Sequence, residues 1–232
     1  MSKRRPDAQL IAVLAARGSG KSAWLAQWMD ANPHPRRVVW DTKREHGIKG
    51  TSDLGEAIRW MGGKTWCFAY FPDLADPKRL AKQFSLFCLA VYTAKHAQCI
   101  VEELAFVTKP TSAPPGWRTL LMLGRDENPK GGNVTVVCTA QRPASVDKDL
   151  IGNATLIHAG RLPYEADAMA VGMALGVPWT ELQTLEKLHW FERGETDNEA
   201  RRGVITFANP ARKPKALGAA PEAKKLDETA AD

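Results

Sequence analysis

The sequence predicts an α/β fold, a mostly parallel sheet with helices on both faces and a C-terminal β-hairpin. Three observations predict it. Short apolar runs alternate with helical patterns along most of the 232 residues, the signature of strands joined by crossover helices. The first run, 10–14, leads into Ala15-Ala16-Arg17-Gly18-Ser19-Gly20-Lys21-Ser22 and then a helical stretch at 23–29. Strand, glycine-rich turn, Gly-Lys-Ser and helix is the setting of a phosphate-binding loop. Third, Asp41, the pair Glu102-Glu103, and Gln141 fall at or just after the ends of three separate predicted strands. Parallel α/β sheets bind ligands at the carboxyl ends of their strands, so these residues converge on one edge.

The elements follow in order. Gly18 and Gly20 can take backbone angles that a side chain forbids, turning successive N–H groups onto an anion. The positive end of the following helix dipole faces the same point. The full loop pattern begins with glycine, and here Ala15 stands there; it is small enough for the loop to close. Trp24 and Trp28 lie four apart, so they share a helix face and read as core packing. Pro33-His34-Pro35 breaks the pattern, and 37–41 reads as a second strand ending in Asp41. A polar loop runs through Gly50, then a short helix ends near Trp60, capped by Ser52 or Asp53.

Residues 66–71 read as a third strand. Asp76-Pro77 opens a long helix carrying Leu80, Phe84, Phe87, Leu89 and Val91, ending near His96. A fourth strand, 98–103, runs into acid, and Pro110, Pro114 and Pro115 mark a loop before helical residues 117–123. After a charged loop at 125–132 comes a fifth strand, 134–139, leading into Ala140-Gln141-Arg142-Pro143. A sixth strand at 155–159 precedes a helix at 165–175, stopped by Gly176, and a short helix from Pro178. Residues 189–192 and 204–207 read as the terminal hairpin. The expected organisation is a basic arm at 1–8, one domain at 9–210 and a poorly packed tail at 211–232.

Composition narrows the function. With 44% hydrophobic and 25% charged residues, the chain is ordinary for a globular domain. No apolar run approaches the ~20 residues of a membrane span. The basic N-terminus leads through a short apolar run straight into the loop, which argues against a signal peptide and for an intracellular protein. The net charge of +6 is compatible with nucleic acid without requiring it. Cys67, Cys88, Cys99 and Cys138 lack metal-ligand spacing and read as buried, reduced thiols.

The chemistry follows from residue type and place. Arg17, Gly18, Ser19, Gly20, Lys21 and Ser22 are expected to hold the nucleotide. Lys21 reaches the β- and γ-phosphates, and the Ser22 hydroxyl ligates Mg²⁺. An apolar strand ending in two acids supplies the rest: Glu102 holds Mg²⁺ through its water shell and Glu103 polarises the attacking water. Aspartate is usual at the first position; Glu102 is one methylene longer. Gln141 can hydrogen-bond that water or the γ-phosphate. Arg125 can neutralise charge on a transferring phosphoryl group from a neighbouring subunit. Arg142, beside Gln141, is a weaker candidate for the same edge, with a solvent-facing side chain as the alternative, and His158 and His189 are expected to be packed.

Taken together, the loop, Asp41-Thr42-Lys43, Val101-Glu102-Glu103, Arg125 and the block from Val134 through Thr139-Ala140-Gln141-Arg142-Pro143 to Asn153-Ala154 resemble the FtsK–HerA superfamily of DNA-translocating ATPases. The resemblance covers about residues 9–207. The short length is similar to the genome-packaging ATPases of tailless, internal-membrane viruses. It implies a RecA-like core, ATP and Mg²⁺ as cofactors, a homo-oligomeric ring (a hexamer in the first instance) and double-stranded DNA as substrate. Capsid-vertex proteins are implied as further partners, and the host cytoplasm or the virion as the location. Other readings stand beside it: a filamentous-phage assembly ATPase, a small-molecule kinase, or a nucleotide-gated binding protein with negligible turnover.

Overall fold

The computed structural model describes residues 8–207. The expected tail at 211–232, and the basic arm apart from its last residue, lie outside the described residues. Nine strands form one sheet: β1 (Leu10–Leu14), β2 (Arg36–Trp40), β3 (Gly50–Thr51), β4 (Trp66–Tyr70), β5 (Ala97–Val101), β6 (Val134–Ala140), β7 (Leu156–Ala159), β8 (His189–Gly194) and β9 (Arg201–Val204). Their order is β3-β4-β2-β5-β6-β1-β7-β8-β9. Every pair from β3 to β7 is parallel, and β8 and β9 close one side as an antiparallel hairpin. The register sets Leu14 opposite both Ala140 and Ala159, and Val101 opposite both Trp40 and Cys138. The residues that follow these strand ends therefore share one edge.

The helices are α1 (Lys21–Ala31), α2 (Leu54–Met61), α3 (Pro77–Ala94), α4 (Pro115–Leu123), α5 (Lys148–Asn153), α6 (Glu165–Leu175) and α7 (Trp179–Thr184). They cover both faces, but unevenly. Side chains alternate along a strand, so Leu10, Ala12 and Leu14 face one way and Ile11 and Val13 the other. The first set joins Val38, Trp40, Cys99 and Val101 in a core filled by residues of α2 to α7, among them Phe84, Phe87, Trp117, Leu150, Val171 and Leu182. The second set joins Val39, Ile100 and Val137 under Leu25 and Met29 of α1. Trp40 anchors the larger core, its ring 4.9 Å from Phe84 and 5.0 Å from Phe87. Each such buried ring contributes roughly 1.5–3 kcal/mol through the area it removes from water.

On the face of α1, Arg37 is fully buried. Its Nε donates to Gln98 Oε1 at 2.9 Å, and its Nη2 donates to the carbonyl oxygens of Met29 and Asn32. Those carbonyls belong to the C-terminal end of α1, where the helix dipole favours a cation. Arg37 therefore ties α1 to the sheet. Elsewhere the caps are those the sequence offers. Asp53 accepts from Glu56 N at 2.8 Å, and Asp76 accepts from Lys78 N and Arg79 N ahead of Pro77.

Three local expectations change. The edge strand β3 was not predicted; it is two residues long, and Gly50 lies so close to β4 that a Cβ there would sit 2.1 Å from the Ala69 carbonyl oxygen. Between Pro143 and the strand at 155–159, where no helix was expected, residues after Asp147 form α5, with Asp147 accepting from Asp149 N. The second hairpin strand is Arg201–Val204 instead of 204–207. Its register follows Gly203, which lies flat against the Trp190 ring where any Cβ would collide at 2.3 Å. Arg201 also pairs with Glu192 at 3.1 Å across the hairpin. His158 is packed as expected, between the rings of Trp24 and Trp190 with Nδ1 3.2 Å from Glu192. His189 is half-buried. All four cysteines are free thiols; Cys67 is half-buried and the other three are buried. Among the described residues no helix is long and apolar enough to cross a membrane.

Candidate nucleotide site

The loop after β1 is pinned to its neighbours. Ala15 N donates to Ala140 O at 3.2 Å and Ala16 N donates to Arg161 O at 2.9 Å. Gly18 and Gly20 take φ of +79° and +101°, angles that disfavour a side chain. Gly20 caps α1 with no side-chain bond, so the helix presents bare N–H groups to an anion. Ala15 at the degenerate start is buried against Gly160, where an added Cβ would come within 2.9 Å of the Ala15 methyl. The opposite side of the loop is covered by the chain that leaves β9. A Cβ on Gly20 would meet Ile205 at 2.6 Å and Leu188 at 3.2 Å, and Gln27 Nε2 donates to Thr206 O at 2.8 Å.

Lys21 folds back over the loop, donating from Nζ to Ala15 O at 2.5 Å and Ala16 O at 3.2 Å. Burial pushes its pKa down from 10.5 to about 8; Lys43 lowers it further, while Glu103 and Glu102 oppose the shift. Loop, lysine and both acids are thus in electrostatic contact. Arg17 and Gly18 are exposed on the outer turn, Ser19 is buried, and Ser22 is exposed in the first turn of α1.

The two acids part company at the end of β5. Glu102 continues the strand direction, its N–H donating to Trp40 O at 3.1 Å. Its side chain is buried, with Oε1 3.0 Å from His46 Nε2 and Oε2 without a hydrogen-bond partner. Glu103 takes φ +52°, a left-handed conformation costing a non-glycine residue roughly 1–3 kcal/mol. The turn carries it towards β6, where its N–H donates to Thr139 Oγ1 at 3.0 Å. Its carboxylate accepts from Gln141 Nε2 at 2.7 Å on Oε2 and from Gln141 N at 3.3 Å on Oε1. Each carboxylate oxygen has two lone pairs, so Glu103 can still accept from a water. Because β6 lies between β1 and β5, Gln141 stands between the loop and the acids.

Sequence reasoning placed Asp41 on this edge and passed over His46. Asp41 is buried, and its Oδ1 accepts from the N–H groups of Lys43, Arg44 and Glu45 at 3.1, 2.6 and 3.4 Å. That turn delivers His46 to Glu102. Burial disfavours a charge on His46, but Glu102, Asp41 and Glu45 outweigh it and raise its pKa. Its only signal in the sequence is its place in the loop that follows Asp41.

Arg125 is not brought to this site within the chain. It follows α4 at the amino edge of the sheet, in a cleft with Gln9, Thr155 and Glu195, and its Nη1 lies 3.6 Å from Glu195 Oε2. Arg142 is held rather than simply solvent-facing. Its Nε donates to the buried Asp167 at 2.5 Å and its guanidinium lies 4.1 Å over the Tyr164 ring. A buried carboxylate needs such a partner, so this pair is structural.

No family model matches the chain. Protein P9 of Pseudoalteromonas phage PM2 is 25% identical over 205 residues, covering 84% of this chain and 89% of P9. The genome packaging NTPase B204 of Sulfolobus turreted icosahedral virus 2, in its sulfate complex, superposes with a TM-score of 0.64 at 11% identity, covering 88% of this chain and all of B204. The same protein with AMPPCP gives 0.61 at 12% identity over 84% of this chain and 96% of that one. The fold is that of a RecA-like P-loop NTPase. EssC (ATPases 2 and 3) of Geobacillus thermodenitrificans superposes at 0.51 with 13% identity, covering 88% of this chain and 41% of EssC. These neighbours bear out the resemblance read from the sequence. In P-loop NTPase terms the loop of 15–22, the two acids and Gln141 form one connected edge.

Proposed function

We propose that the chain is an ATPase that drives double-stranded DNA, and specifically a viral genome-packaging motor. The observation that carries the reading is the Glu103–Gln141 pair, held by two hydrogen bonds between the phosphate loop and the acidic strand end. A carboxylate there takes the proton of an attacking water, and an amide beside it senses the γ-phosphate. A small-molecule kinase needs an acceptor hydroxyl in place of that water. B204 is named a genome packaging NTPase and matches this chain over nearly its whole length, which favours packaging among the uses of such a site.

In this reading Arg17 to Ser22 bind the triphosphate and Lys21 neutralises it. Ser22 and Glu102 would hold Mg²⁺, which supplies charge neutralisation on the phosphates. The residues fit: Ser22 offers an exposed hydroxyl, and Glu102 Oε2 is a buried oxygen lacking a partner. Arg125, remote from its own phosphate edge, serves a neighbouring subunit in a ring. Ring assembly as a hexamer, capsid-vertex partners and a place in the infected cytoplasm or the virion belong to the same proposal.

The test is phosphate release with and without duplex DNA, read beside sedimentation. The expected result is DNA-stimulated hydrolysis in an assembled species, lost in Lys21→Ala. DNA binding should be sequence-independent and weaken steeply with salt, because contacts go to phosphates and release counterions. Turnover indifferent to DNA, or nucleotide binding without turnover, would reject the motor.

A further inference from the structure

The loop after β2 and the end of β5 together build a cluster that shares Glu102 with the nucleotide chemistry and adds two residues, Asp41 and His46, that this chemistry does not use. Asp41, His46 and Glu102 each offer one ligand atom, and the three atoms lie within 4.8 Å of one another. Asp41 is 1% exposed, and the side chains of His46 and Glu102 are 7% and 5% exposed. Two buried carboxylates beside one imidazole concentrate negative charge, and burial of such charge calls for a cation. One atom there is unsatisfied: Glu102 Oε2 has no hydrogen-bond partner, while His46 Nε2 lies 3.0 Å from Glu102 Oε1. Asp41 spends Oδ1 on three backbone N–H groups, which fixes the carboxylate and leaves Oδ2 outside those bonds. Lys21 faces Glu102 from the phosphate loop, but it bonds the carbonyl oxygens of Ala15 and Ala16 instead.

We infer that Asp41, His46 and Glu102 bind a divalent transition-metal ion of the zinc class, in the absence of nucleotide. One imidazole with two carboxylates suits Zn²⁺, whose bonds to nitrogen and oxygen are about 2.0–2.2 Å. Bonds of that length place ligand atoms roughly 3.5 Å from each other in a tetrahedral site, so the widest separation in the trio, at most 4.8 Å, closes by no more than about an ångström. Mg²⁺ prefers oxygen ligands and retains its waters, so an imidazole in the set selects against it. Since Glu102 belongs to both sites, occupancy by zinc withdraws it from the Mg²⁺ of a bound nucleotide.

The experiment titrates ZnCl₂ into the full chain by calorimetry without nucleotide, with MgCl₂ as the comparison. Expected is one Zn²⁺ per chain with no matching Mg²⁺ isotherm. His46→Ala and Asp41→Asn should each weaken zinc at least about tenfold, since losing even a supporting partner of a ligand costs 10–100-fold. His46→Cys should restore binding by supplying another zinc ligand. Circular dichroism and thermal melting of each variant show whether it is folded, and the rescue by cysteine reads coordination independently of stability. Absence of stoichiometric zinc binding, or binding unchanged in folded His46→Ala and Asp41→Asn, overturns the inference. Neither outcome bears on ATP hydrolysis, so the two readings fail separately.

Discussion

Nucleotide binding should take up a proton at Lys21. Its pKa near 8 means that at pH 9 roughly one lysine in ten carries a charge. A bound triphosphate adds negative charge at the ammonium and raises the pKa towards its ordinary 10.5. The bound state then holds more protons than the free state between those values. Affinity is therefore full below pH 8 and falls by up to about tenfold per pH unit from 8 towards 10.5. The limit is 2.5 pH units, or about 3 kcal/mol at 1.36 kcal/mol per unit. Without nucleotide the sign is reversed. The folded pKa lies below the unfolded one, so the charge costs stability below pH 8 and stability recovers as pH rises towards 10.5. The assay is calorimetry of a non-hydrolysable ATP analogue at pH 9 in two buffers of different ionisation heat, where uptake of about 0.9 proton is expected. Lys21→Arg keeps its charge at this pH and should show none. Uptake below about 0.2 proton together with flat affinity from pH 8 to 10 would refute the argument.

Glu103→Gln should keep ATP binding and slow hydrolysis by about 10²–10⁴, the contribution of a positioned base; Glu102→Gln should chiefly weaken magnesium, and the reverse pattern would exchange their roles. Arg125→Ala should bind ATP and assemble but hydrolyse slowly. Mixing it with Lys21→Ala should restore some activity, because some interfaces pair an intact loop with an intact arginine; full activity of Arg125→Ala alone would remove its role in trans. Gly20→Ala should cost about 2–4 kcal/mol in urea unfolding, combining backbone strain with the collision against Ile205. Gly18→Ala, with open space around it, should cost only about 1 kcal/mol of strain, and equal losses would show that Ile205 and Leu188 yield freely.

The parallel sheet was legible because its strands are uninterrupted apolar runs; 134–139 and 165–175 are recovered as β6 and α6 nearly residue for residue. The site was legible where a residue type is tied to a strand end, as with Glu102, Glu103 and Gln141. What escaped depends on contacts between distant segments. β3 exists because Gly50 can approach β4, and β9 is set by Gly203 beneath Trp190; neither carries an apolar period. His46 is brought to Glu102 by a turn around Asp41, which no spacing announces. The uneven sharing of helices between the faces was also hidden, since the sequence of a helix does not say which face of the sheet it covers: among the described residues α1 lies alone over one face and α3 joins the others on the opposite one.

The strand between β1 and β5 acts as a spacer. Neighbouring strands lie about 4.8 Å apart, so inserting β6 holds β1, which leads into the phosphate loop, and β5, which leads into the acids, roughly 9.5 Å apart across the sheet. Side by side, Lys21 and Glu103 would be near enough to neutralise each other directly. In the proposed function that separation is the room for a phosphoryl group with a water in line, and Gln141 lies on the strand between. A sheet that exchanged β6 with β5 would keep every one of these side chains and lose the space in which they act.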